Sequence, residues 1–131
     1  MTFKYLSEEE LEDFNVLVIN LIKVKKADKA EILSKRKLSS VLDEVKEFEG
    51  DLYDKAVILL QGLVKSHAFA SGNRRTAFVA TKEFVTLNKG KFKILDDPTY
   101  AKVMQGVREN YYSHSELKDW IKNGKIKKFE R

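Results

Sequence analysis

Between Asn73 and Asn88 the apolar residues Ala77, Val79, Ala80, Phe84, Val85 and Leu87 occupy most of the circumference of a helix. A helix apolar nearly all round cannot sit on a surface; other elements must enclose it. A chain of 131 residues suits one domain with one core, so residues 1–131 are read as one unit. The rest of the chain supplies helices for the enclosure. Ser7 and Glu10 form a capping box, and Leu11, Phe14, Leu17, Val18, Leu21 and Ile22 continue at helical spacing, which predicts a helix over about 8–24. Lys25–Lys37 is charged and weakly periodic, with a short helix expected over 29–34. Leu38, Val41, Leu42, Val45 and Phe48 give an amphipathic helix closed by Gly50. Asp51 caps the next, whose core face is Tyr53, Ala56, Val57, Leu60, Leu63 and Val64. Beyond the stop at Asn88-Lys89-Gly90, Asp97-Pro98 starts a helix through Tyr100, Val103, Met104 and Val107. Ser113 and Glu116 box the last one, ended by Asn123-Gly124. The fold class is therefore all-α: a bundle of six or seven helices around the segment 73–88. The basic tail 125–131 is expected to fray.

Composition removes several function classes. There is no cysteine, so disulfides and thiolate metal sites are excluded. No apolar run is long enough to span a bilayer and no signal peptide opens the chain, so a cytoplasmic protein without a membrane partner is expected. The net charge of +5 is mild, and without a clustered basic face a nucleic-acid partner is not expected. No metal-ligand spacing is visible. His114 reads as incidental in a surface turn, and Tyr111-Tyr112 as core rim.

The chemistry concentrates in Ser66-His67-Ala68-Phe69-Ala70-Ser71-Gly72-Asn73-Arg74-Arg75-Thr76-Ala77, between two apolar helical runs. Gly72-Asn73 is a turn signal, and Asn73 suits the N-cap of the following helix. Such a turn leaves backbone N–H groups and the positive end of the helix dipole facing one way, which attracts phosphate. Arg74 and Arg75 oppose that dipole, so they make sense beside a bound anion, whose oxygens match guanidinium forks. Arg75 is the expected phosphate clamp with Arg74 beside it, and Phe69 a plug that fixes the loop. His67 is placed to accept a proton from an attacking hydroxyl.

This segment resembles the signature loop of the Fic/Doc (Fido) family: His, any, Phe, any, an acid, Gly or Ala, Asn, Gly or Lys, Arg. His67, Phe69, Gly72, Asn73, Arg74 and Arg75 match without a gap, and the likeness runs from Tyr5-Leu6-Ser7-Glu8-Glu9-Glu10-Leu11 to the final helix. It is nearest the Doc toxin branch, because the residue after Asn73 is basic and the distal Arg of AMP-transferring members is replaced by Phe78. The acidic position is Ser71, a neutral hydroxyl where the family's carboxylate helps hold Mg²⁺. The resemblance implies a small flap at Val45–Leu52, with Phe48 and Glu49 lining a target groove; an ordinary helix–helix turn is the alternative.

For function the resemblance implies a protein phosphotransferase with ATP as donor. Its substrate would be a Ser or Thr hydroxyl of a translation factor, elongation factor Tu in Doc. His67 would be the base, and Gly72, Asn73, Arg74 and Arg75 the phosphate cradle. Mg²⁺ would be present, with no direct carboxylate ligand at Ser71. A small antitoxin would silence it in trans, since no Ser/Thr-x-x-x-Glu-Gly motif occurs within the chain. Two alternatives stand beside this: nucleotidyl transfer of the Fic type, and a degenerate protein that only binds nucleotide or a partner.

Overall fold

The computed structural model describes residues 2–22 and 30–130. The named helices are α1 (Glu8–Ile22), α2 (Lys35–Glu47), α3 (Leu52–Ser66), α4 (Asn73–Leu87), α5 (Thr99–Arg108) and α6 (His114–Asn123), with no strand among the described residues. The expected all-α bundle is what forms. The short helix expected over 29–34 does not appear in its described part. Residues 31–34 instead run alongside the loop after α3, where Ile32 bridges Phe69, Leu33 N–H donates to the Ala68 carbonyl at 2.7 Å and Ala70 N–H to Glu31 at 2.8 Å. Lys29 and the last two residues expected in the first helix, 23–24, lie outside the described residues.

The hub of the bundle is α3 rather than the expected 73–88 helix. Helix α3 packs on α2, α4, α5 and α6, whereas α4 packs chiefly on α3 and α1. Lys82, Glu83 and Thr86 give α4 a solvent face, and Ala77, Phe78, Ala80, Phe84 and Val85 turn inward. Close packing of α2 on α3 depends on Gly62, where an added Cβ would stand 2.7 Å from Val41 Cγ1. Helix α1 also uses a different face from the one read off the sequence. Leu11, Asn15, Val18 and Ile19 are buried, while Leu17 and Leu21 are 51% and 74% exposed. The buried polar residue Asn15 decides the rotation, because it reaches the loop before α4.

Both capping boxes predicted at Ser7/Glu10 and Ser113/Glu116 are present. Asp51 caps α3 as expected, in a further box with Asp54. Helix α2 ends at Glu47, before Gly50, with Phe48 as its C-cap. Lys55 closes that end: its buried ammonium donates to the carbonyls of Val45 (2.9 Å), Lys46 (3.1 Å) and Phe48 (2.7 Å), so all three protons are used. The segment 48–51 is thus a firmly tied helix–helix turn. His114 is not incidental: its ring stacks on Phe48 at 5.4 Å and its Nε2 pairs with Asp54 at 2.9 Å, fastening α6 to this turn.

The C-terminal tail, expected to fray, lies against the body. Ile126 and Phe129 pack on the core, Tyr112 donates its hydroxyl to the Lys127 carbonyl at 2.9 Å, and Lys127 pairs with Glu116 at 3.1 Å. Two apolar residues at spacing three, Ile126 and Phe129, give the tail an inner side that its charge obscures in the sequence. No helix among the described residues is long and apolar enough to cross a membrane.

Candidate functional site

The site forms where α3 ends and α4 begins. His67 is the C-cap of α3 and adopts the left-handed conformation, φ 49° and ψ 45°. A non-glycine residue there carries a strain of roughly 1–2 kcal/mol. The residue is exposed, and its ring faces solvent rather than the core.

From His67 the chain dips inward. Ala68 and Phe69 are buried. The Asn73 side chain grips its backbone from both sides: Phe69 N–H donates to Asn73 Oδ1 at 3.1 Å, and Asn73 Nδ2 donates to the Phe69 carbonyl at 2.9 Å. Asn73 is therefore the first residue of α4 and not its N-cap. The cap is Gly72, at φ 74°, with no side-chain cap bond. An added Cβ at Gly72 would lie 3.1 Å from Ile19 Cδ1 as well as being strained by the positive φ.

Asn15, overlooked in the sequence, is the second anchor. It is 1% exposed and donates to the Ser71 carbonyl at 2.9 Å and the Thr76 hydroxyl at 3.1 Å. The available signal was an amide at position i+4 from Leu11 on a buried face. With the loop held this way, the first intrahelical bond of α4 runs from Thr76 N–H to the Gly72 carbonyl at 2.8 Å. The amides of Asn73, Arg74 and Arg75 precede it and lie outside the helix ladder, at the positive end of the dipole.

A cleft of about 380 Å³ opens there, and His67, Gly72, Asn73, Arg74 and Arg75 all line it, joined by Tyr100 and Arg108 from α5. Arg74 is exposed. Arg75 is not a free clamp. Its Nη1 and Nη2 meet Asp96 Oδ1 and Oδ2 at 2.6 and 2.9 Å, Nη1 also donates to Tyr100 at 3.1 Å, and the guanidinium lies 4.9 Å from the Phe78 ring centre. The hydrogen bonds to Asp96 raise the Arg75 pKa still further, and those from Arg75 hold the Asp96 carboxyl below its usual range. Ser71 is half-buried and outside the lining, its carbonyl taken by Asn15. Phe48 and Glu49 do not line the cleft either. A larger cavity of about 730 Å³, between Ile94, Trp120 and Phe129, contains none of the signature residues; the smaller cleft holds the chemistry.

The donor set bears on Mg²⁺. Among the described residues the cleft is lined by three guanidinium groups and no carboxylate, and no group of three His, Asp or Glu side chains is arranged for a metal. Magnesium binds through hard anionic oxygen. These residues do not fit a Mg²⁺ ion held directly by the protein.

The chain matches the Fic/DOC family over residues 5–85, from two residues before α1's capping box into the last turn of α4. The chain belongs to the Fic/DOC family. The matched span contains the whole Fic/DOC signature loop and the anchors Asn15 and Asn73 that hold it. A 37-residue stretch is also 49% identical to the protein named Toxin Doc of Mycolicibacterium smegmatis. That match covers 28% of this chain and 28% of that protein. The Fic/DOC match stops before α5, so Tyr100 and Arg108 enter the cleft from outside the matched span.

Proposed function

We propose that this protein is a Doc-like toxin that transfers phosphate from ATP to a Ser or Thr hydroxyl of a protein target, a translation factor of the elongation factor Tu type. The observation that carries the reading is the common cleft: an exposed His67 at the end of α3 lines one space with Arg74 and the first turn of α4, whose amides before Thr76 have no helix partner among the described residues. Phosphoryl transfer asks little covalent chemistry of a protein; it needs positioning and charge. His67 accepts the proton of the attacking hydroxyl as the bond from that oxygen to phosphorus forms. The amides of Asn73, Arg74 and Arg75 take the equatorial oxygens, and the guanidiniums balance their charge. ADP leaves with the electron pair of the broken bond. The toxin role rests on the likeness to Toxin Doc and implies a small antitoxin acting in trans. A stripe of exposed apolar residues on α1, Val16, Leu17 and Leu21, is in keeping with a protein partner.

The nucleotidyl alternative is disfavoured by Phe78. Where AMP-transferring relatives carry an Arg, this ring is 2% exposed and packs on Phe92 at 5.4 Å and Tyr100 at 4.6 Å. Incubation of the protein with elongation factor Tu and either γ-labelled or α-labelled ATP separates the readings. Label from the γ position alone supports phosphotransfer. Label from the α position overturns it in favour of nucleotidyl transfer, and label from neither, with activity appearing in Ser71→Asp, identifies a degenerate site.

A further inference from the structure

Arg108 closes the last turn of α5 and lines the same cleft as His67 and Arg74, yet it lies beyond the signature and beyond the family match. Position alone does not require a ligand, since a cation suits a helix C-terminus. Its surroundings do more. Helix α5 is fixed by buried Val103, Met104 and Val107, and Arg108 follows Ala101 by two turns on the face that borders the cleft. Among the described residues neither the Arg108 nor the Arg74 side chain makes a hydrogen bond or ion pair, whereas the Arg75 side chain is consumed by Asp96. The cleft therefore presents two uncommitted guanidiniums, from two different helices, and no acid among its described lining residues; Asp96, beside it, is already paired with Arg75.

We infer that Arg108 is a phosphate-binding residue of this site, and that Arg74 and Arg108 together neutralise a polyphosphate directly, the charge role that a divalent cation has where the signature carries an acid. The inference rests on the phosphate reading above. It adds the identity of the second free cation and a consequence: the site recognises the metal-free polyphosphate. A Mg²⁺-complexed polyphosphate has part of its charge already cancelled, so two free arginines, beside a carboxylate already spent on Arg75, gain nothing from the metal.

Calorimetric titration with inorganic tripolyphosphate tests this, in excess EDTA and again in excess Mg²⁺, on the whole chain. The wild type binds in EDTA as tightly as in Mg²⁺ or more tightly. Arg108→Ala weakens that binding about tenfold, the loss of one charge-assisted contact, and Arg108→Lys weakens it less. Arg108 is exposed, so thermal melting of the variants stays at the wild-type value and reports that they are folded. Binding at least tenfold tighter in Mg²⁺, or an Arg108→Ala affinity within twofold of wild type, overturns the inference and leaves the phosphate reading standing. A wild type that binds tripolyphosphate in neither condition removes both.

Discussion

At the scale of single residues, the arrangement of Arg75 changes what the signature means here. Its fork is matched by the two oxygens of Asp96 in the geometry a phosphate would take. An incoming anion must compete with that carboxylate. Asp96→Asn removes the competing charge, so affinity for an inorganic polyphosphate rises roughly threefold to tenfold, read by the same kind of titration. A fall in affinity would show instead that Asp96 holds Arg75 in its working position. Neither outcome was visible in the sequence, because Asp96 is 21 residues from Arg75 and nothing in the spacing joins them. The same holds for Lys55, whose isolated charge on an apolar helix face looks like a surface residue until its three carbonyl partners are seen. Lys55→Met strands those carbonyls and lowers unfolding free energy by about 3 kcal/mol in urea denaturation. A cost below about 1 kcal/mol would mean that water replaces the ammonium.

At the scale of elements, the α2–α3 turn is a heavily tied junction. Asp54 belongs to the α3 capping box and also pairs with His114 and with Lys118 at 3.0 Å, both on α6. Burial acts to raise its pKa, but the bonds from His114, the Asp51 amide and Lys118 outweigh it and leave the carboxyl well below the ordinary range. The sign follows. The unfolded chain takes up a proton near pH 4 while the folded protein does not, so the unfolded state binds more protons as pH falls. The stabilisation is complete above about pH 5 and is lost progressively below the unfolded pKa. Asp54→Asn therefore costs about 1–2 kcal/mol at pH 7, and the gap to wild type narrows at pH 3, measured by urea midpoints at both values. A gap that stays constant would remove Asp54 as the linked group. The capping residues of these elements were legible because a box is written locally, three residues apart. The rotation of α1 and the fate of residues 31–34 were not, because Asn15 and the Ala68 and Glu31 carbonyls find their partners across the fold.

At the scale of the whole molecule, the bundle assembles one space from pieces far apart in the chain. Helix α3 ends in a strained His67, Asn73 and Asn15 lock the loop, and α5 brings Tyr100 and Arg108 to its other side. The signature half of that space was readable from residues 67–75 alone; the α5 half was not, since it depends on how the final helices fold back over α3. The inner side of the tail was illegible for a related reason, because Phe129 packs on Tyr111 and the Lys127 carbonyl meets Tyr112 only in the folded chain. In the proposed function the phosphate cradle and the proton acceptor are separate parts facing one cleft. Transfer of γ-label to the target protein, compared between wild type and His67→Ala at matched occupancy of polyphosphate-bearing donor, tests it most directly. The expected outcome is that His67→Ala binds donor within about twofold of wild type while transfer falls at least a hundredfold, the usual share of a general base. Equal transfer by the two proteins would contradict it.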